Sequence, residues 1–209
     1  GSQLRHVQIS GGSIAKHRLI NYPGQLNIHD VTSFDLTNCH IKENKVGDDS
    51  VHVSYSSGFI SNCIFENSAF DALDMDIVKV SVTDSTFINS GNDALDLMTS
   101  EVSIDGVVIK RAGDKCFSVG ESSRVEITNS ELNDCQTGIA VKDGSDARVE
   151  NIEFRGIRDS AISLYRKNSR YSKGGHINGN RISGITSKDV SVSEHSINDI
   201  PENQYLILQ

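Results

Sequence analysis

The tetrapeptide Asp-Ala-Leu-Asp occurs twice in this chain, at residues 71–74 and 93–96, and the 22-residue step between the copies is the period of the central sequence. Apolar residues two positions apart recur at this step, which is the pattern of one strand face. These pairs are Val51/Val53, Leu73/Met75, Leu95/Leu97, Phe117/Val119, Ile139/Val141 and Ile162/Leu164. We therefore expect a repeat protein.

Each repeat carries two further apolar segments. One row runs Phe34/Leu36, Gly58/Ile60, Val80/Val82, Val102/Ile104, Val125/Ile127 and Ala147/Val149, and another runs Ile41, Phe65, Phe87, Ile109, Leu132 and Phe154. A turn-forming position lies between these rows, occupied by Asn38, Asn62, Asp84, Gly106, Asn129 and Asn151. Three short strands per repeat, without a helical pattern of usual length, predict one coil of a parallel β-helix.

The predicted fold is all-β, a single right-handed parallel β-helix of about seven or eight coils. The chain has 17 Gly, 2 Pro and no composition break, so we expect one domain at 3–209, with 1–2 a cloning scar and 174–209 an irregular last coil and cap. A net charge of −8 argues against nucleic acid as a partner. No apolar stretch is long enough to insert into a membrane.

The four cysteines do not fix the compartment. Cys39 and Cys63 occupy the same position in successive coils, and the expected spacing of about 4.8 Å lies within the range that a disulfide bridges. Buried, unbonded thiols in a side-chain stack are the favoured alternative. Cys116 and Cys135 fall at different positions in their coils, and no pair has the spacing of a zinc site.

Polar residues around the Val51 to Leu164 row change along the chain, so we expect function to reside there. Three columns read Asp49, Asp71, Asp93, Lys115, Thr137, Ser160; then His52, Asp74, Asp96, Ser118, Ala140, Ser163; then Ser54, Asp76, Met98, Gly120, Lys142, Tyr165. A row of small residues, Ser50, Ala72, Ala94, Cys116, Gly138 and Ala161, is expected to form the floor of a shallow groove between the first two columns.

Carboxylates stacked one coil apart repel each other unless they share a cation or spread into solvent. The candidate metal ligands are Asp71, Asp74, Asp76, Asp93 and Asp96. Ca²⁺ is the expected ion, because it takes about six to eight oxygen ligands in irregular geometry. The alternative interpretation is that these are turn residues whose carboxylates accept backbone N–H groups.

Lys115 continues the first column beyond Asp93. An ion pair with Asp93 is the simpler interpretation. The alternative is a catalytic base that removes the proton α to a uronate carboxylate held by calcium, although neighbouring carboxylates raise a lysine pKa, which opposes that role.

Two further groups are candidates for substrate binding. His52 heads the outward column and is either an exposed histidine on a sheet face or a residue that contacts substrate or metal. Tyr165, Arg166 and Lys167 begin a basic and aromatic segment that either holds an anionic sugar or forms a solvated loop.

The segments DALDMD, NDALDL, GDKCFSVGE, TGIAVKDGS and AISLYRK resemble the right-handed parallel β-helix domain found beside CotH-kinase-like modules in bacterial proteins. The opening LRHVQISGG and the segment GQLNIHD belong to the same resemblance. It implies the fold and a secreted or cell-surface setting, and it carries over no catalytic residue.

Other β-helix families supply two enzyme analogies. Pectate lyases resemble this chain in placing calcium-binding acidic residues near a base, and the matching residue types are Asp71, Asp74, Asp93, Asp96 and Lys115. GDDSVHV and AGDKCFSV are similar to the paired-carboxylate segments of polygalacturonase-type hydrolases, but Lys115 stands where that pattern has a second Asp. The Gly-His-Gly and Arg-x-Lys segments of those hydrolases are also missing.

The sequence therefore predicts an extracellular glycan-associated β-helix module with a divalent-cation site on its Asp columns. Its expected partner is a polysaccharide or cell-surface glycan. The alternatives are a calcium-dependent lyase or hydrolase that acts on an acidic polysaccharide, and a structural module that docks neighbouring domains of a longer chain.

Overall fold

The computed structural model describes residues 1–206 as a stack of short strands. Two 3₁₀ helices, Ser187–Asp189 and Glu202–Gln204, lie near the C-terminal end. The strands are β1 (Ser2–Arg5), β2 (Gln8–Ser10), β3 (Ala15–His17), β4 (Ile20–Tyr22), β5 (Gly24–His29), β6 (Phe34–Thr37), β7 (His40–Lys42), β8 (Asp49–Ser54), β9 (Ser57–Ser61), β10 (Ile64–Ser68), β11 (Asp71–Asp76), β12 (Lys79–Thr83), β13 (Thr86–Ser90), β14 (Leu95–Met98), β15 (Glu101–Asp105), β16 (Val108–Gly120), β17 (Arg124–Lys142), β18 (Asp146–Arg155), β19 (Ser160–Tyr165), β20 (His176–Ser183), β21 (Val190–Val192), β22 (Ile197–Asn198) and β23 (Tyr205–Leu206).

The strands form three parallel rows that wind as a solenoid of about eight turns. The row that we call the site sheet runs β5, β8, β11, β14, the C-terminal ends of β16 and β17, β19 and β21. Its register places Leu73 between Val51 and Leu95, so the repeat read from the sequence is the step from coil to coil. The second sheet contains β6, β9, β12 and β15, and the third contains β7, β10 and β13. The predicted all-β fold is confirmed.

The interior is filled by the inward residues of the three rows. Phe65 and Phe87 of adjacent coils stack with ring centroids 4.5 Å apart. Their neighbours Val51, Leu73 and Leu95 are fully buried. Each such side chain contributes about 1.5–3 kcal/mol by leaving water, so the solenoid is held mainly by apolar contacts between adjacent coils.

The predicted corner between the second and third sheets is confirmed. Asn38, Asn62, Asp84, Gly106, Asn129 and Asn151 all have positive φ, between 47° and 65°. Asparagine and glycine tolerate this left-handed conformation better than other residues do. Asn151 Nδ2 also donates to Asn129 Oδ1 at 2.8 Å, so part of the column forms a side-chain ladder.

Buried hydroxyl and thiol groups occupy other corners, a pattern that the sequence analysis did not single out. The backbone N–H of Ser100 donates to Ser123 Oγ of the next coil at 3.0 Å. The backbone N–H of Cys63 donates to Ser85 Oγ at 3.1 Å, and Cys63 Sγ donates to the Ser61 carbonyl at 3.3 Å. Cys39 and Cys63 are buried and unbonded, which confirms the favoured alternative for this pair.

Cys116 and Cys135 form a disulfide, which the sequence analysis missed. Their Cα atoms are 5.8 Å apart across the corner between the third sheet and the site sheet. Ser50 and Ser68 face each other at the equivalent place in earlier coils, with their Oγ atoms 2.7 Å apart. The pairing depends on this corner geometry and not on the period, so equivalence of position was the wrong criterion.

The two ends of the stack are irregular. The antiparallel hairpin β3–β4 precedes β5. At the other end, β22 and β23 both pair with β20, and Ile200 is buried against the last coil. The cap predicted over 174–209 stays a prediction, and residues 207–209 of it lie outside the described part. Within residues 1–206, no helix has the length and apolarity to cross a membrane.

Candidate functional site

The first column beside the site sheet is buried: Asp49, Asp71 and Asp93 are 1%, 8% and 3% exposed. Asp71 Oδ1 accepts hydrogen bonds from the backbone N–H of Asp93 at 2.7 Å and from Asn92 Nδ2 at 2.8 Å. Asp93 Oδ1 accepts one from the backbone N–H of Lys115 at 2.9 Å. Two of the predicted calcium ligands, Asp71 and Asp93, therefore join neighbouring coils, which is the role that the alternative interpretation assigned to them.

The row of small residues faces the interior, so the predicted groove floor is wrong. A Cβ atom on Gly138 would lie 2.5 Å from Phe154 Cε1. Two other members of the row, Ser50 and Cys116, contact Ser68 and Cys135 at buried positions. The members Ser50, Ala72, Ala94, Cys116, Gly138 and Ala161 are all buried.

His52 lies at the centre of a polar cluster on the outward face of the site sheet. Its Nε2 atom is 3.4 Å from Asp76 Oδ2 and 3.8 Å from Asp74 Oδ2. Its Nδ1 atom is 2.6 Å from His29 Nε2, and the His29 ring stacks on Tyr22. Because these neighbours enclose the ring, His52 is only 9% exposed, and its interpretation as an exposed histidine is wrong. We name His29, Asp49, His52, Asp74 and Asp76 the Asp/His cluster.

Asp49 has no hydrogen-bond partner for either carboxylate oxygen within residues 1–206. Asp71 and Asp93 each accept a hydrogen bond from the backbone N–H of the equivalent residue one coil further on. The corresponding donor for Asp49 is the N–H of Asp71, but this N–H donates to the Asp48 carbonyl at 2.9 Å instead. One ligand atom from each of Asp49, His52 and Asp74 lies within 4.8 Å of the other two. Asp49 is not among the metal ligands predicted from the sequence, although its place at the head of the column of Asp71 and Asp93 is a signal.

The pKa values in the cluster are strongly perturbed. Burial raises the pKa of Asp49 to about 8 and that of Asp74 to about 9, and neighbouring carboxylates act in the same direction. Burial also raises the pKa of Asp71 to about 7. Burial and the charge of His52 lower the pKa of His29. Titratable groups with strongly shifted pKa values often mark a functional site. Here, bound protons or a cation would relieve the repulsion between the neighbouring carboxylates.

Lys115 lies beside carboxylates and forms the predicted ion pair. Its Nζ atom is 3.5 Å from Asp93 Oδ1, and it also contacts the Asp114 carboxylate. Burial alone lowers the pKa of Lys115, but the hydrogen bond to Asp114 and the charges of Asp93 and Asp114 raise it overall. A lysine held in its protonated form does not act as a base, so these contacts oppose the predicted catalytic role.

The outward face of the site sheet is closed in the coils of β16 and β17. Lys142 is buried, and its Nζ donates to Ser118 Oγ at 2.8 Å. Its Cε atom would be 2.5 Å from a Cβ atom on Gly120, so the side chain lies across the preceding coil. Ala140 is fully buried beside Ser118. Partly accessible outward side chains lie on β11 and β14 before this closed stretch and on β19 after it, whereas β8 is buried.

Two of the predicted metal ligands, Asp76 and Asp96, lie on the partly accessible strands β11 and β14. Asp74 is in register between His52 and Asp96, and Asp76 is in register between Ser54 and Met98. Asp74, Asp76 and Asp96 are half-buried, whereas Met98 is exposed. The outward carboxylates of successive coils are therefore adjacent, as the sequence predicted.

The basic segment lies at the far end of the same sheet. The backbone N–H groups of Lys167 and Asn168 donate to Asp143 Oδ1 at 2.7 and 2.8 Å, which leaves the side chains of Arg166 and Lys167 exposed. Tyr165 shares a column with Asp76 but lies four strands away, about 19 Å at the usual strand spacing. The structure does not bring this segment to the Asp/His cluster.

A shallow groove of about 690 Å³ follows the outward face of the second sheet. Phe59 is exposed there. Several charges that line this groove are paired across coils, as in Lys79 to Glu101 at 3.0 Å and Arg148 to Glu126 at 3.4 Å. Paired, exposed charges make this groove a weaker candidate than the Asp/His cluster.

Comparisons with known proteins agree with the fold. The model of the family described as "right handed beta helix region" matches residues 24–171 and 97–206. No curated protein sequence matches this chain.

Two solved structures are similar at low sequence identity. One is the full-length tailspike protein 2 from Escherichia coli O157:H7 bacteriophage CAB120, with a TM-score of 0.56 and 12% identity over 98% of this chain. The chain spans 32% of that tailspike. The other is the alginate lyase from Paenibacillus sp. str. FPU-7, with a TM-score of 0.53 and 11% identity over 97% of this chain and 98% of the lyase.

Proposed function

The chain belongs to the right-handed β-helix family, and from this premise we propose that it is an extracellular glycan-associated module. The glycan lies against the outward face of β11 and β14, beside the buried strand β8. The observation that carries this proposal is the Asp/His cluster, a group of buried and half-buried polar side chains on the outward face of the site sheet, in which the Asp49 carboxylate has no hydrogen-bond partner within residues 1–206. Such groups cost free energy to bury and are retained where a ligand uses them.

The side chains of the Asp/His cluster and of the neighbouring Asp96 suit sugar hydroxyl groups. Three half-buried carboxyl groups lie on the adjacent strands β11 and β14, namely those of Asp74, Asp76 and Asp96. A carboxyl group offers acceptor oxygens to sugar hydroxyls in either protonation state, and a protonated one, which the raised pKa of Asp74 favours, also donates a hydrogen bond. The net charge of −8 repels a polyanion, so an acidic polysaccharide requires a bridging cation, whereas a neutral one does not.

The proposed module also binds a divalent cation on its aspartate columns. Because Asp71 and Asp93 accept backbone N–H groups, the outward carboxylates are the better ligands among those predicted. Calcium remains the prediction for an all-oxygen site formed by Asp74, Asp76 and Asp96.

The setting that we propose is the bacterial cell surface or the extracellular space. It rests on the sequence resemblance to β-helix domains found beside CotH-kinase-like modules. Neighbouring domains of a longer chain are proposed partners on the same ground.

The test is glycan binding by variants matched on two faces. Asp76→Asn changes a half-buried carboxylate on the site sheet, and Glu101→Gln changes an exposed carboxylate on the second sheet. We expect a tenfold or greater loss of affinity for the bound polysaccharide in Asp76→Asn and no change in Glu101→Gln, measured on arrayed neutral and acidic polysaccharides. A loss confined to Glu101→Gln would place the glycan in the groove of the second sheet, and an array without any binder would favour the structural-module alternative.

Catalysis on a polysaccharide is a second candidate, favoured by the raised pKa values of Asp49 and Asp74. Their closest ligand atoms lie within 4.8 Å, which is shorter than the about 6.5–9.5 Å between the carboxyl groups of an inverting hydrolase. Release of reducing ends, or of unsaturated uronate absorbing in the ultraviolet, would establish it. Full activity in Asp74→Asn would remove Asp74 from it.

A further inference from the structure

We propose that Asp49, His52 and Asp74 form a binding site for a first-row transition metal ion of the Zn²⁺ type. The proposal refines the cation site of the proposed function, replaces its ligand set, and does not depend on glycan binding.

The first step is the isolation of Asp49. Asp49 is 1% exposed, and neither of its carboxylate oxygens accepts a hydrogen bond within residues 1–206. The equivalent Asp71 and Asp93 are also buried, but each accepts a backbone N–H. A buried carboxylate without donors is unfavourable unless a positive ligand is supplied. Asp71 and Asp93 each have a backbone N–H donor, and Asp49 lacks one, so a bound cation is a suitable partner for its carboxylate.

The second step is geometry. One ligand atom from each of the three residues lies within 4.8 Å of the other two, and His52 Nε2 is 3.8 Å from Asp74 Oδ2. Ligand atoms around a tetrahedral ion at about 2.0–2.2 Å are about 3.3–3.6 Å apart. Small side-chain movements, without a change in the strands β8 and β11, therefore bring the three donors to bonding distance.

The third step is the orientation of His52. When Nε2 binds a metal, the proton of the ring lies on Nδ1, and Nδ1 is 2.6 Å from His29 Nε2. Histidine ligands are usually held by a hydrogen bond from the other ring nitrogen. His29 accepts that bond and is fixed by stacking on Tyr22. His29 is therefore a positioning residue for the metal ligand.

The donor set selects the class of ion. One imidazole nitrogen and two carboxylates suit Zn²⁺ and similar ions, whereas Ca²⁺ takes oxygen ligands in larger number. Three protein ligands leave a fourth position open, and the half-buried Asp74 lies on the solvent side of the cluster. The site therefore has a position for water or a sugar oxygen.

The experiment titrates EDTA-treated protein with ZnCl₂, CoCl₂ and CaCl₂ by calorimetry. We expect one equivalent of Zn²⁺, with affinity reduced tenfold or more in Asp49→Asn and in His52→Gln. Asp96→Asn discriminates between the two cation sites: Asp96 belongs to the all-oxygen site and not to this one, so the variant should keep the Zn²⁺ affinity of the wild type. His176→Gln is a second control, because His176 also lies between two carboxylates but both of its ring nitrogens are already bonded.

Two readouts separate loss of binding from loss of folding. Co²⁺ should give the visible absorption of a four-coordinate ion, absent in His52→Gln. Without metal, Asp49→Asn should melt close to the wild type, because it replaces a carboxyl group that has no hydrogen-bond partner. Zn²⁺ should raise the melting temperature of the wild type and of the two control variants, but not that of Asp49→Asn.

Three outcomes overturn the proposal: no binding of Zn²⁺ or Co²⁺, equal loss in Asp96→Asn and Asp49→Asn, or Ca²⁺ binding that depends on Asp96 and not on His52. The last two outcomes support the all-oxygen aspartate site instead. Glycan binding that persists in EDTA while Zn²⁺ fails to bind would retain the proposed function and reject only the metal site.

Discussion

Asp49 and Asp71 are the same residue at the same position of successive coils, yet their carboxylates have different surroundings. Asp71 accepts the backbone N–H of Asp93, whereas Asp49 loses the corresponding donor to the Asp48 carbonyl. A change in one backbone hydrogen bond thus separates a ladder aspartate from a candidate ligand. The difference depends on one backbone donor, so it cannot be predicted from the sequence, where Asp49, Asp71 and Asp93 look equivalent.

The first prediction concerns Lys115. Replacing it with Met removes the cation beside Asp93, whose side chain is 4% exposed. We expect a loss of about 1–3 kcal/mol in the free energy of unfolding, because a buried carboxylate loses its charged neighbour. Urea denaturation followed by circular dichroism measures it.

Lys79→Met is the matched control for this ion pair. Lys79 contacts Glu101, but both side chains are more than half exposed. Exposed pairs contribute about 0–1 kcal/mol, so the control should be near neutral. Equal losses in the two variants would contradict the buried-pair account.

At the scale of elements, each strand is positioned by its neighbours in the adjacent coils. The site sheet keeps its register from Val51 through Leu95, while the corners are fixed by positive-φ asparagines and buried serines. Corners decide which inward positions meet. The Cys116–Cys135 bond and the Ser50–Ser68 contact occupy the same kind of corner for this reason.

The second prediction concerns the disulfide. Cys116→Ser/Cys135→Ser should lower the free energy of unfolding by about 2–4 kcal/mol, because the bond closes a loop of 19 residues in the unfolded chain. Cys63→Ser should change it much less, since a hydroxyl group can make the corner contact as Ser85 does. Guanidinium denaturation compares the two.

Thiol counting checks the same bond directly. Under denaturing conditions, the wild type should label two cysteines, Cys39 and Cys63, without reductant and all four after reduction. Four labelled residues without reductant would show that Cys116 and Cys135 are not joined.

At the scale of the whole molecule, the solenoid depends on protection of its last coil. His176 joins that coil to the cap: its Nδ1 lies 2.8 Å from Asp146 Oδ1 and its Nε2 3.0 Å from Asp199 Oδ2. The hydrogen bond to Asp146 raises the pKa of His176, and Asp199 adds to the effect against a smaller opposing contribution from burial. The protonated ring is therefore the form that holds the cap.

The third prediction follows from the direction of this shift. A folded-state pKa above the unfolded value of about 6.5 gives stability that is complete below that pH and lost as pH rises through the folded pKa. His176→Gln should lower the melting temperature at acidic pH and approach the wild type at alkaline pH. The side chain is about one third exposed, so the shift should be modest.

The control for this prediction is His17→Gln in the exposed hairpin, which should leave the pH profile unchanged. A His176→Gln deficit that is the same at every pH would mean that packing, and not the charge of the ring, holds the cap.

The sequence by itself determined the all-β solenoid, its period, the inward rows and the positive-φ corner, because these features repeat in every coil and are written as periodicity. It also identified the aspartate columns and the alternative that Asp71 and Asp93 bind backbone N–H groups. Only the tertiary structure decided that the small-residue row faces the interior, that Cys116 meets Cys135, and that Asp49 stands without a donor beside His52. The physical reason is that each depends on a bend or a single hydrogen bond at a corner, where adjacent coils cease to be equivalent.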